Sequence, residues 1–513
     1  MTPTATPLST IIALARAGAL EHAWAQFSAS GHDRRDDDPA ALTVQGRLLK
    51  DRALRARGEE KRRLFVEAAA AYLRSAELQT GTYPLINAAT LALLAGDRAG
   101  AARLAGEIVE RIQREPDEPE TPYWRGATLA EALLLLGRGE DSKAALRDAL
   151  AAAPRAWEDH ASTLRQFILI HEALDADAAW LDMLRPPQSL SWSGAGGPVA
   201  RVSENELRER IAAALARERI GFVFGSACTG AGLLAAEAAI ESGAELHLIL
   251  PAGVEACAAA CVGVDADWRA RFDRVVEAAE SVHMVRPIGS AASPPMLALA
   301  SQISAGAARL NAERLMSSAA HLRFTESEPA LFELCAALPP RIAPAGGGSA
   351  APPIALLSIS VGEDCNGHFA ERLATLRELL STFRDFAVAP HLVGDCVIAG
   401  FVDTDDAARV ARAVCRRLSG ETLLRIAGHF GFIPLLRDPF LNADRPSESG
   451  TRVLRAIAQA APPATVCVSL DFAAALAAGT DGPSCAHWIG ELHAFDGGTP
   501  IALYALGTAA SDD

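Results

Sequence analysis

The sequence is short of positive charge and of aromatic side chains, and each shortage excludes a class of partner. Its 513 residues include 48 Lys and Arg against 63 Asp and Glu, which gives a net charge of -15, and 5% of the residues are aromatic. Duplex nucleic acid is bound by clustered cations that displace counterions, and single strands are bound by stacked aromatic rings. We therefore expect no nucleic-acid partner.

A long uninterrupted apolar run is also missing. The most apolar stretch, residues 246–264, contains His247, Pro251 and Glu255, which are costly in hydrocarbon. The first residues lack the basic and apolar segments of a secretory signal. The nine cysteines are scattered and odd in number, unlike those of a disulfide framework. We expect a cytoplasmic protein with no membrane span.

Residues 1–188 have apolar side chains spaced by three and four, which predicts helix throughout. The blocks 83–112 and 123–150 are alike, because each predicts a helix, a turn marked by Gly96 or Gly137, and a second helix. Their spacing exceeds a strict 34-residue repeat, so tetratricopeptide-like pairs of variable length are predicted. Stacked pairs either present a groove to a protein partner or only pack on their neighbours, and the sequence leaves both open.

Prolines and glycines between residues 185 and 198 mark the end of the helical domain. Beyond them, apolar runs at 220–224 and 246–251 flank a glycine-rich turn and a helix at 233–242. This order predicts a parallel β-α-β unit. We assign residues 189–338 to a Rossmann-like α/β domain.

The glycine-rich turn is the candidate binding site of this domain. Gly225, Ser226 and Gly230 open the turn, and Glu237 follows in the helix. Backbone N–H groups at such a turn, together with the helix dipole, bind phosphate or another anion. The spacing departs from G-x-G-x-x-G and includes no Walker lysine, so a purely packing role for the glycines stays open.

Residues 339–353 are rich in proline and glycine, which is typical of a flexible linker. Beyond the linker, predicted strands such as 354–359 and 465–469 alternate with predicted helices, and a hairpin is predicted near 393–401. Residues 354–513 are therefore predicted to form an α+β domain.

Residues 225–251, which begin GSACTGAG, resemble the SLOG superfamily, and the WRARF segment at 268–272 is similar to one that these domains carry after the same strand. The resemblance implies a Rossmann-like domain that binds a nucleotide or a nucleotide-derived signal. In that family an acidic residue usually follows the Gly-Ala pair, but here Gly232 stands at the position. The PGGxGT-type loop of the hydrolase relatives is also absent, which favours sensing over hydrolysis.

Three helical segments resemble the tetratricopeptide-type domain called TRAF-binding-like. They are GRLLKDRAL (46–54), YPLINAAT (83–90) and RQF (165–167). In bacterial signalling proteins this domain often precedes a SLOG-like unit and a cyclase homology domain. The order of predicted domains in this chain is the same.

Three segments of the last domain resemble class III adenylate and guanylate cyclases. LRIAGHFG (424–431) resembles a strand of those enzymes, VGDC (393–396) their Gly-Asp hairpin, and PPATVCVS (462–469) a later strand. The resemblance implies an α+β, ferredoxin-like fold for residues 354–513, which we name the cyclase-like domain.

Catalysis in that family requires two aspartates that hold two divalent cations. The resemblance places the first aspartate at Ser360, whose neutral hydroxyl does not replace a carboxylate, and the second at Asp395. Asp364 follows Ser360 after the strand, and the purine-selecting position falls on His391. Mg²⁺ or Mn²⁺ is expected as a cofactor only if this site is active.

The family also uses an asparagine and an arginine from the helix before Pro462. One register places them at Thr451 and Arg455, and the next places them at Arg452 and Ala456. We prefer the first register because it keeps the arginine, although neither restores the asparagine. Losing one carboxylate and the asparagine removes most transition-state stabilisation, so a degenerate cyclase is predicted.

Simpler roles for two of these residues stay open. Gly-Asp is a favoured turn sequence, so Asp395 is alternatively an ordinary hairpin residue. Arg455 is alternatively a solvated helix arginine.

The sequence thus predicts a cytoplasmic signalling protein of three parts. The helical domain engages a protein partner, the SLOG-like domain senses a nucleotide-type small molecule, and the cyclase-like domain regulates or dimerises. Class III cyclases complete their sites across a dimer, so a homodimer is expected. The alternatives are an active adenylate or guanylate cyclase with a non-standard metal site, a nucleotide hydrolase centred on Glu237, and a scaffold without ligand.

Overall fold

The chain forms two compact units, Met1–Pro186 and Pro187–Asp513, in a computed structural model. The residues that the structure describes are 6–16, 19–114, 121–194, 201–262, 266–285, 293–324, 332–335, 352–362, 368–418, 424–440, 442–479, 485–495 and 500–507. Most of the predicted linker at 339–353, and Asp364, lie outside the described residues.

The first unit is helical, as its apolar spacing predicts. Its α-helices are α1 (Leu8–Arg16), α2 (Leu20–Ala29), α3 (Pro39–Arg55), α4 (Gly58–Leu78), α5 (Tyr83–Leu94), α6 (Arg98–Arg114), α7 (Pro122–Leu135), α8 (Gly139–Ala152) and α9 (Trp157–Leu174). Gly96 and Gly137 have φ values of +91° and +75° and lie between α5 and α6 and between α7 and α8. The two predicted helix-turn-helix pairs are confirmed.

The second unit begins with an α/β domain. Its elements are β1 (Gln188–Gly194), α10 (Arg201–Arg217), β2 (Ile220–Gly225), α11 (Gly230–Glu241), β3 (Glu245–Leu250), α12 (Val254–Val262), α13 (Ala266–Ala278), β4 (Ser281–Met284), α14 (Pro294–Arg314), β5 (Ala319–Phe324) and β6 (Phe332–Cys335). The strand order is β4-β3-β2-β1-β5-β6. All neighbouring strands from β4 to β5 pair in parallel, so the predicted β2-α11-β3 unit is confirmed.

The predicted boundary at residues 185–198 contains the central strand β1. It pairs with β2 on one side and with β5 on the other. Ser189, Ser191 and Ser193 alternate with the buried Leu190 and Trp192, and this period of two is typical of a strand. The sheet therefore begins earlier than the run at 220–224 that the sequence analysis identified.

The remainder of the second unit is the cyclase-like domain. Its elements are β7 (Ile354–Ser360), α15 (Phe369–Ser381), β8 (Phe386–Val393), β9 (Cys396–Phe401), α16 (Thr404–Arg417), β10 (Arg425–Gly431), β11 (Leu435–Asp438), β12 (Ala443–Pro446), α17 (Glu448–Ala460), β13 (Val466–Ser469), α18 (Leu470–Ala478), β14 (Ala486–Leu492) and β15 (Ile501–Leu506). The main sheet has the order β14-β15-β13-β10-β7-β9-β8, with strands and helices alternating as predicted for an α+β domain.

The helices α17 and α18 cover opposite faces of this sheet. Ala427 of β10 packs in the same core cluster as Leu454 of α17. A side chain at the next residue, Gly428, would meet Phe472 of α18. Successive residues of a strand point to opposite faces, so the two helices lie on opposite sides.

The α/β domain packs onto the cyclase-like domain through α14 and α18. The backbone of Gly306 touches that of Ala474, and Arg309 Nη1 donates to the carbonyl oxygen of Ala477 at 3.2 Å. On β4, His283 Nε2 lies 2.7 Å from Asp471 Oδ1. Because α14 packs on α18, it lies on the α18 side of the cyclase-like sheet and does not cover the α17 side.

Candidate functional sites

Trp192 of β1 packs against the glycine-rich turn between β2 and α11. The indole Nε1 donates to the carbonyl oxygen of Ser226 at 3.0 Å. A Cβ at Gly225 would lie 2.1 Å from the indole ring, so only glycine fits there. Thr229 Oγ1 accepts from the Gly232 N–H at 3.1 Å and begins α11, so that Gly230 is the first residue of the helix. At Gly225, therefore, glycine is needed for packing against Trp192, which is the simpler role that the sequence left open.

Glu237 lies farther along α11, in a cluster of ion pairs. Its carboxylate accepts from Arg271 at 2.7 and 2.6 Å and from Arg208 at 2.9 Å, and Arg271 also pairs with Glu204 at 3.0 Å. Burial acts to raise the pKa of Glu237, but the bonds and charges of the two arginines outweigh it and hold the pKa below its usual value. A ligand role for Glu237 stays a prediction, while its interactions here are those of a stabilising cluster.

A serine-histidine-serine chain lies at the carboxyl end of β1. His321 of β5 forms hydrogen bonds to Ser191 Oγ through Nδ1 at 2.8 Å and to Ser193 Oγ through Nε2 at 2.7 Å. The ring is 1% exposed, and burial lowers the pKa of His321 to about 4. A neutral imidazole has one donor and one acceptor nitrogen, so one serine donates to the ring and the other accepts from it.

The hydrogen-bonded group of Ser191, His321 and Ser193 lies at the position where open α/β sheets bind their ligands. The order of strands reverses between β1 and β5, and ligands of open α/β sheets bind outside the carboxyl ends of strands at such a point. Ser193 is half-buried at that end, and β1 pairs in parallel with β2, which leads into the turn at Gly225 and Ser226. Sequence reasoning missed Ser193 and His321 because only strand pairing joins residues so distant, although the serine alternation in β1 was a usable signal.

In the cyclase-like domain, Ser360 and Asp395 are in contact. Ser360 ends β7, Asp395 lies in the turn between β8 and β9, and the serine hydroxyl donates to Asp395 Oδ2 at 2.7 Å. This bond, opposed by partial burial, holds the pKa of Asp395 below its usual value. His391 lies earlier in the same hairpin, on the edge strand β8, where its Nδ1 is 2.9 Å from the Ala389 carbonyl oxygen.

The donor set at this site does not fit the pair of divalent cations that the resemblance implies. Ser360 offers a neutral hydroxyl, and it is already hydrogen-bonded to the remaining carboxylate. Within the described residues, no three His, Cys, Asp or Glu side chains are grouped so that they could hold a metal ion. Each Mg²⁺ in such a site is held by one or two carboxylates together with waters and substrate phosphates. The described residues offer a pair of ions a single carboxylate here, and it is already hydrogen-bonded to Ser360.

The helix α17 carries two arginines along a groove. A cavity of about 490 Å³ is lined by α17 and by residues at the end of β14, including Arg452, Arg455, Gln459 and Phe495. The Arg452 guanidinium lies 4.0 Å from the centre of the Phe495 ring. Thr451 is buried and its hydroxyl bonds to the helix's own Glu448 carbonyl, so it does not replace the missing asparagine. Arg455 is half-exposed and pairs with Glu448 at 3.4 Å.

The three helical segments singled out in the sequence converge on one buried carboxylate. Lys50 Nζ donates to Gln166 Oε1 at 2.9 Å, Gln166 Nε2 donates to Glu131 Oε1 at 3.1 Å, and Thr90 also donates to Glu131. Burial raises the pKa of Glu131. Sequence reasoning missed Glu131, which lies in an alanine- and leucine-rich stretch with no motif around it.

Comparisons with known proteins match parts of the chain. The profile of the Tetratricopeptide Repeats-Sensor family matches residues 9–92. Among solved structures, the adenylyl cyclase CyaB from P. aeruginosa is 11% identical, with 31% of this chain and 96% of that chain covered at a TM-score of 0.26. The guanylate cyclase domain of RhGC from Catenaria anguillulae, in complex with GTP, is 10% identical, with 31% and 97% covered at a TM-score of 0.24.

No curated protein matches this chain. None of the helices in the described part of the chain combines the length and the apolar composition that a membrane span needs. At these identities and TM-scores, function has to be argued from the residues of the sites themselves.

Proposed function

We propose that this chain is a cytoplasmic signalling protein with a non-catalytic cyclase-like domain. The α/β domain binds a nucleotide-type ligand at the carboxyl end of β1, β2 and β5. The cyclase-like domain regulates or dimerises, and the helical unit engages a protein partner. The observation that carries the proposal is the bond from Ser360 to Asp395, which stands where two carboxylates would have to hold two metal ions.

The loss of one carboxylate has a direct chemical consequence. Two divalent cations activate the attacking 3′-hydroxyl and neutralise the triphosphate in a metal-dependent cyclisation. A serine carries no charge, and removing a charged group that acts in the transition state costs orders of magnitude in rate. The α17 helix adds no asparagine to compensate, because Thr451 is bonded within its own helix.

The packing of α14 supports coupling between sensing and regulation. This helix contacts β1, β2, β3 and β5 of the α/β sheet and also α18, which contacts β10, β13 and β15 of the cyclase-like sheet. Asn311 of α14 donates to Ser189, near the start of β1, at 3.0 Å, and Ser193 lies near the other end of the same strand. A ligand that shifts β1 as a whole therefore has a packed route to the other domain.

We expect the wild-type protein to form no cyclic nucleotide from ATP or GTP above the background rate, with Mg²⁺ or with Mn²⁺. The measurement is product formation by purified full-length chain, with Asp395→Ala as a matched variant and a known active cyclase as a positive control. Formation of cyclic AMP or cyclic GMP that Asp395→Ala abolishes would instead establish an active cyclase with a non-standard metal site.

The same preparation distinguishes the remaining functions. Release of a free base from nucleoside monophosphates, lost in Glu237→Gln, would favour a hydrolase. Flat calorimetric titrations against a nucleotide panel would favour a scaffold without ligand.

We expect a homodimer through the cyclase-like domain, on the α17 side of its sheet, which α14 does not cover. The β11-β12 hairpin exposes Leu436 and Phe440, 63% and 95% respectively, and exposed apolar side chains of this kind suit contact with a second copy. Light scattering at micromolar protein concentration measures the oligomeric state. Phe440→Asp should shift the protein toward monomer, whereas Val66→Asp, at an exposed apolar residue of α4, should not. A wild-type monomer would contradict the expectation.

A further inference from the structure

A histidine of the α/β domain meets a buried carboxylate of the cyclase-like domain. His283 Nε2, on β4, lies 2.7 Å from Asp471 Oδ1, on α18. The Asp471 side chain is 7% exposed and the His283 side chain is 24% exposed. A carboxylate buried to this degree is costly unless a positive charge or hydrogen-bond donors accompany it. The partner that the other domain supplies therefore matters for the contact between the two domains.

The surroundings of Asp471 favour its charged form but bring no second positive charge. Asp471 lies in the first turn of α18, where the helix N–H groups and dipole favour negative charge. On its other side, His429 Nδ1 of β10 lies 3.9 Å from Asp471 Oδ2 and 2.9 Å from Ser469 Oγ. Burial lowers the pKa of His429, so this ring stays neutral near pH 7. His283 is therefore the member of this cluster that supplies positive charge.

The pKa of His283 shifts in the opposite direction from that of His429. Burial acts to lower the pKa of His283, but the charge of Asp471 and the hydrogen bond to it outweigh burial and raise the pKa above its usual value. Separation of the two domains would return His283 to water and to an ordinary histidine pKa of about 6.5. Contact between the domains is therefore linked to uptake of a proton between that pH and the raised pKa.

The other charged or titratable side chains that β3 and α14 place on this side of the α/β sheet have partners of their own. They are His247, which bonds to Ser281 Oγ at 2.8 Å, Arg309, which pairs with Glu313 at 3.2 Å, and Arg314, which lies 5.9 Å from the centre of the Trp488 ring. The residue opposite His283 on β3 is the apolar Ile249. Within the described residues, the titratable groups that face His283 are therefore Asp471 and His429.

We propose that protonation of His283 latches the α/β domain onto the cyclase-like domain. The protonated imidazole and the Asp471 carboxylate form an ion pair across the domain contact, and release of the proton to water leaves a neutral ring against a buried charge. β4 is an edge strand held by its ladder with β3, so it can shift without breaking a second ladder. The packing of α14 on α18 joins the domains in either charge state, and His283 sets how tightly β4 is held. This latch requires no ligand in either domain and is independent of the function proposed above.

The first test is hydrogen exchange of the full-length chain between pH 6 and pH 9, with rates corrected for the pH dependence of intrinsic exchange. We expect the protection of β4 and of the first turn of α18 to be highest near pH 6 and to fall about fivefold to tenfold as the pH rises through the raised pKa of His283. This factor is the usual difference between a hydrogen bond to a charged group and one between neutral groups. Peptides of α6, a helix without histidine, are the internal control and should show no such trend.

Two variants show whether His283 and Asp471 are responsible for this trend. His283→Gln keeps a side-chain donor but has no titrating group, and Asp471→Asn keeps the size of the side chain but has no charge. Either substitution should remove the dependence of β4 and α18 protection on pH. His493→Gln, at an exposed histidine of the same unit, is the matched control and should keep the wild-type profile.

Three results of the exchange experiment would contradict the latch. One is a wild-type profile that is flat between pH 6 and pH 9, which needs no variant to be decisive. Another is a pH dependence that survives in His283→Gln or in Asp471→Asn, whichever of the two folds. The third is an equal trend in α6, which would mean that pH acts on the whole chain and not on this contact.

The second test is a double-mutant cycle of His283→Gln and Asp471→Asn, measured by urea denaturation of the second unit at pH 6 and pH 9. Because glutamine keeps a donor, the cycle reports the contribution of the charge. We expect a coupling of about fivefold to tenfold in the unfolding constant at pH 6 and nearly none at pH 9. A raised folded-state pKa stabilises below about pH 6.5, and the stabilisation is lost as the pH rises through the raised value. Equal coupling at both pH values, or none at pH 6, would show that the charge of His283 plays no part.

Discussion

Gly306→Ala is expected to lower the free energy of unfolding of the second unit by about 3 kcal/mol, at the upper end for overpacking a buried contact. An added Cβ would lie 1.8 Å from the Ala474 carbonyl oxygen and 2.4 Å from its carbonyl carbon. Ordinary carbon contacts are about 3.5–4 Å. Both obstructing atoms belong to the backbone of α18, so no side chain can turn aside, and α14 and α18 must move apart.

The measurement is chemical denaturation together with hydrogen exchange of peptides from α14 and α18. We expect protection to fall in both helices, because the contact between the α/β and cyclase-like domains is what the substitution disrupts. Gly106→Ala in α6 is the matched control, since a Cβ there meets nothing within 4 Å. Replacing a helix glycine by alanine where the added Cβ meets open space stabilises by roughly 0.5–1 kcal/mol. A Gly306→Ala protein as stable as wild type would rule out the close approach of these helices.

Arg271→Gln is expected to lower the free energy of unfolding near pH 7 by about 3–5 kcal/mol. Arg271 is 8% exposed and bridges Glu237 and Glu204, while its guanidinium also lies 4.4 Å from the centre of the Trp268 ring. Removing it leaves two partly buried carboxylates facing each other, with Arg208 as the remaining partner of Glu237. Breaking one partner of such a cluster costs more than the pair itself contributes.

The effect of Arg271→Gln should depend on pH in a defined direction. The folded-state pKa of Glu237 lies below its usual value, so the stabilisation is fully present above the ordinary glutamate pKa of about 4.3 and is lost as the pH falls through the folded value. The difference between wild type and variant in the free energy of unfolding should therefore stay constant from pH 7 down to about pH 4.3 and narrow below that pH, as measured by urea titrations.

Arg269→Gln is the control for this cluster. Arg269 lies two residues away and pairs with Glu255 and Asp273 on the surface. Surface pairs contribute little because water screens them, so no measurable change is expected. Equal effects of the two substitutions would mean that Arg271 is not a buried bridge.

Gly306→Ala and Arg271→Gln act on contacts that no local sequence pattern predicts. The pairing of Gly306 with Ala474 and that of Arg271 with Glu204 join residues far apart in the chain. Neither glycine nor arginine has a local preference that would have predicted the partner. The sequence therefore does not predict that the α/β domain packs on the cyclase-like domain.

The candidate sites were predictable to different degrees. The resemblance to cyclases located Ser360 and Asp395, and the structure brings the two into hydrogen-bond contact. The sequence also locates the glycine-rich turn, but it does not predict the hydrogen bond from Trp192 to that turn, because the prolines and glycines around β1 are typical of a domain boundary. Ser193 and His321 were missed altogether, since only the pairing of β1 with β5 brings them together.

The sequence by itself determined the local elements. Apolar spacing set the helices of the first unit, Gly96 and Gly137 separated paired helices where backbone with positive φ is needed, and alternating strands and helices set the class of the second unit. These features follow from preferences that act over a few residues.

Only the tertiary structure decided which distant groups meet. It placed Arg372 against the carbonyls after β7, Ser193 against His321, and α14 against α18. Each of these contacts depends on strand order, register and helix packing, which the whole chain fixes together. The charge and hydrogen-bonding state of each site follow from those contacts, and so does the chemistry that the protein can perform.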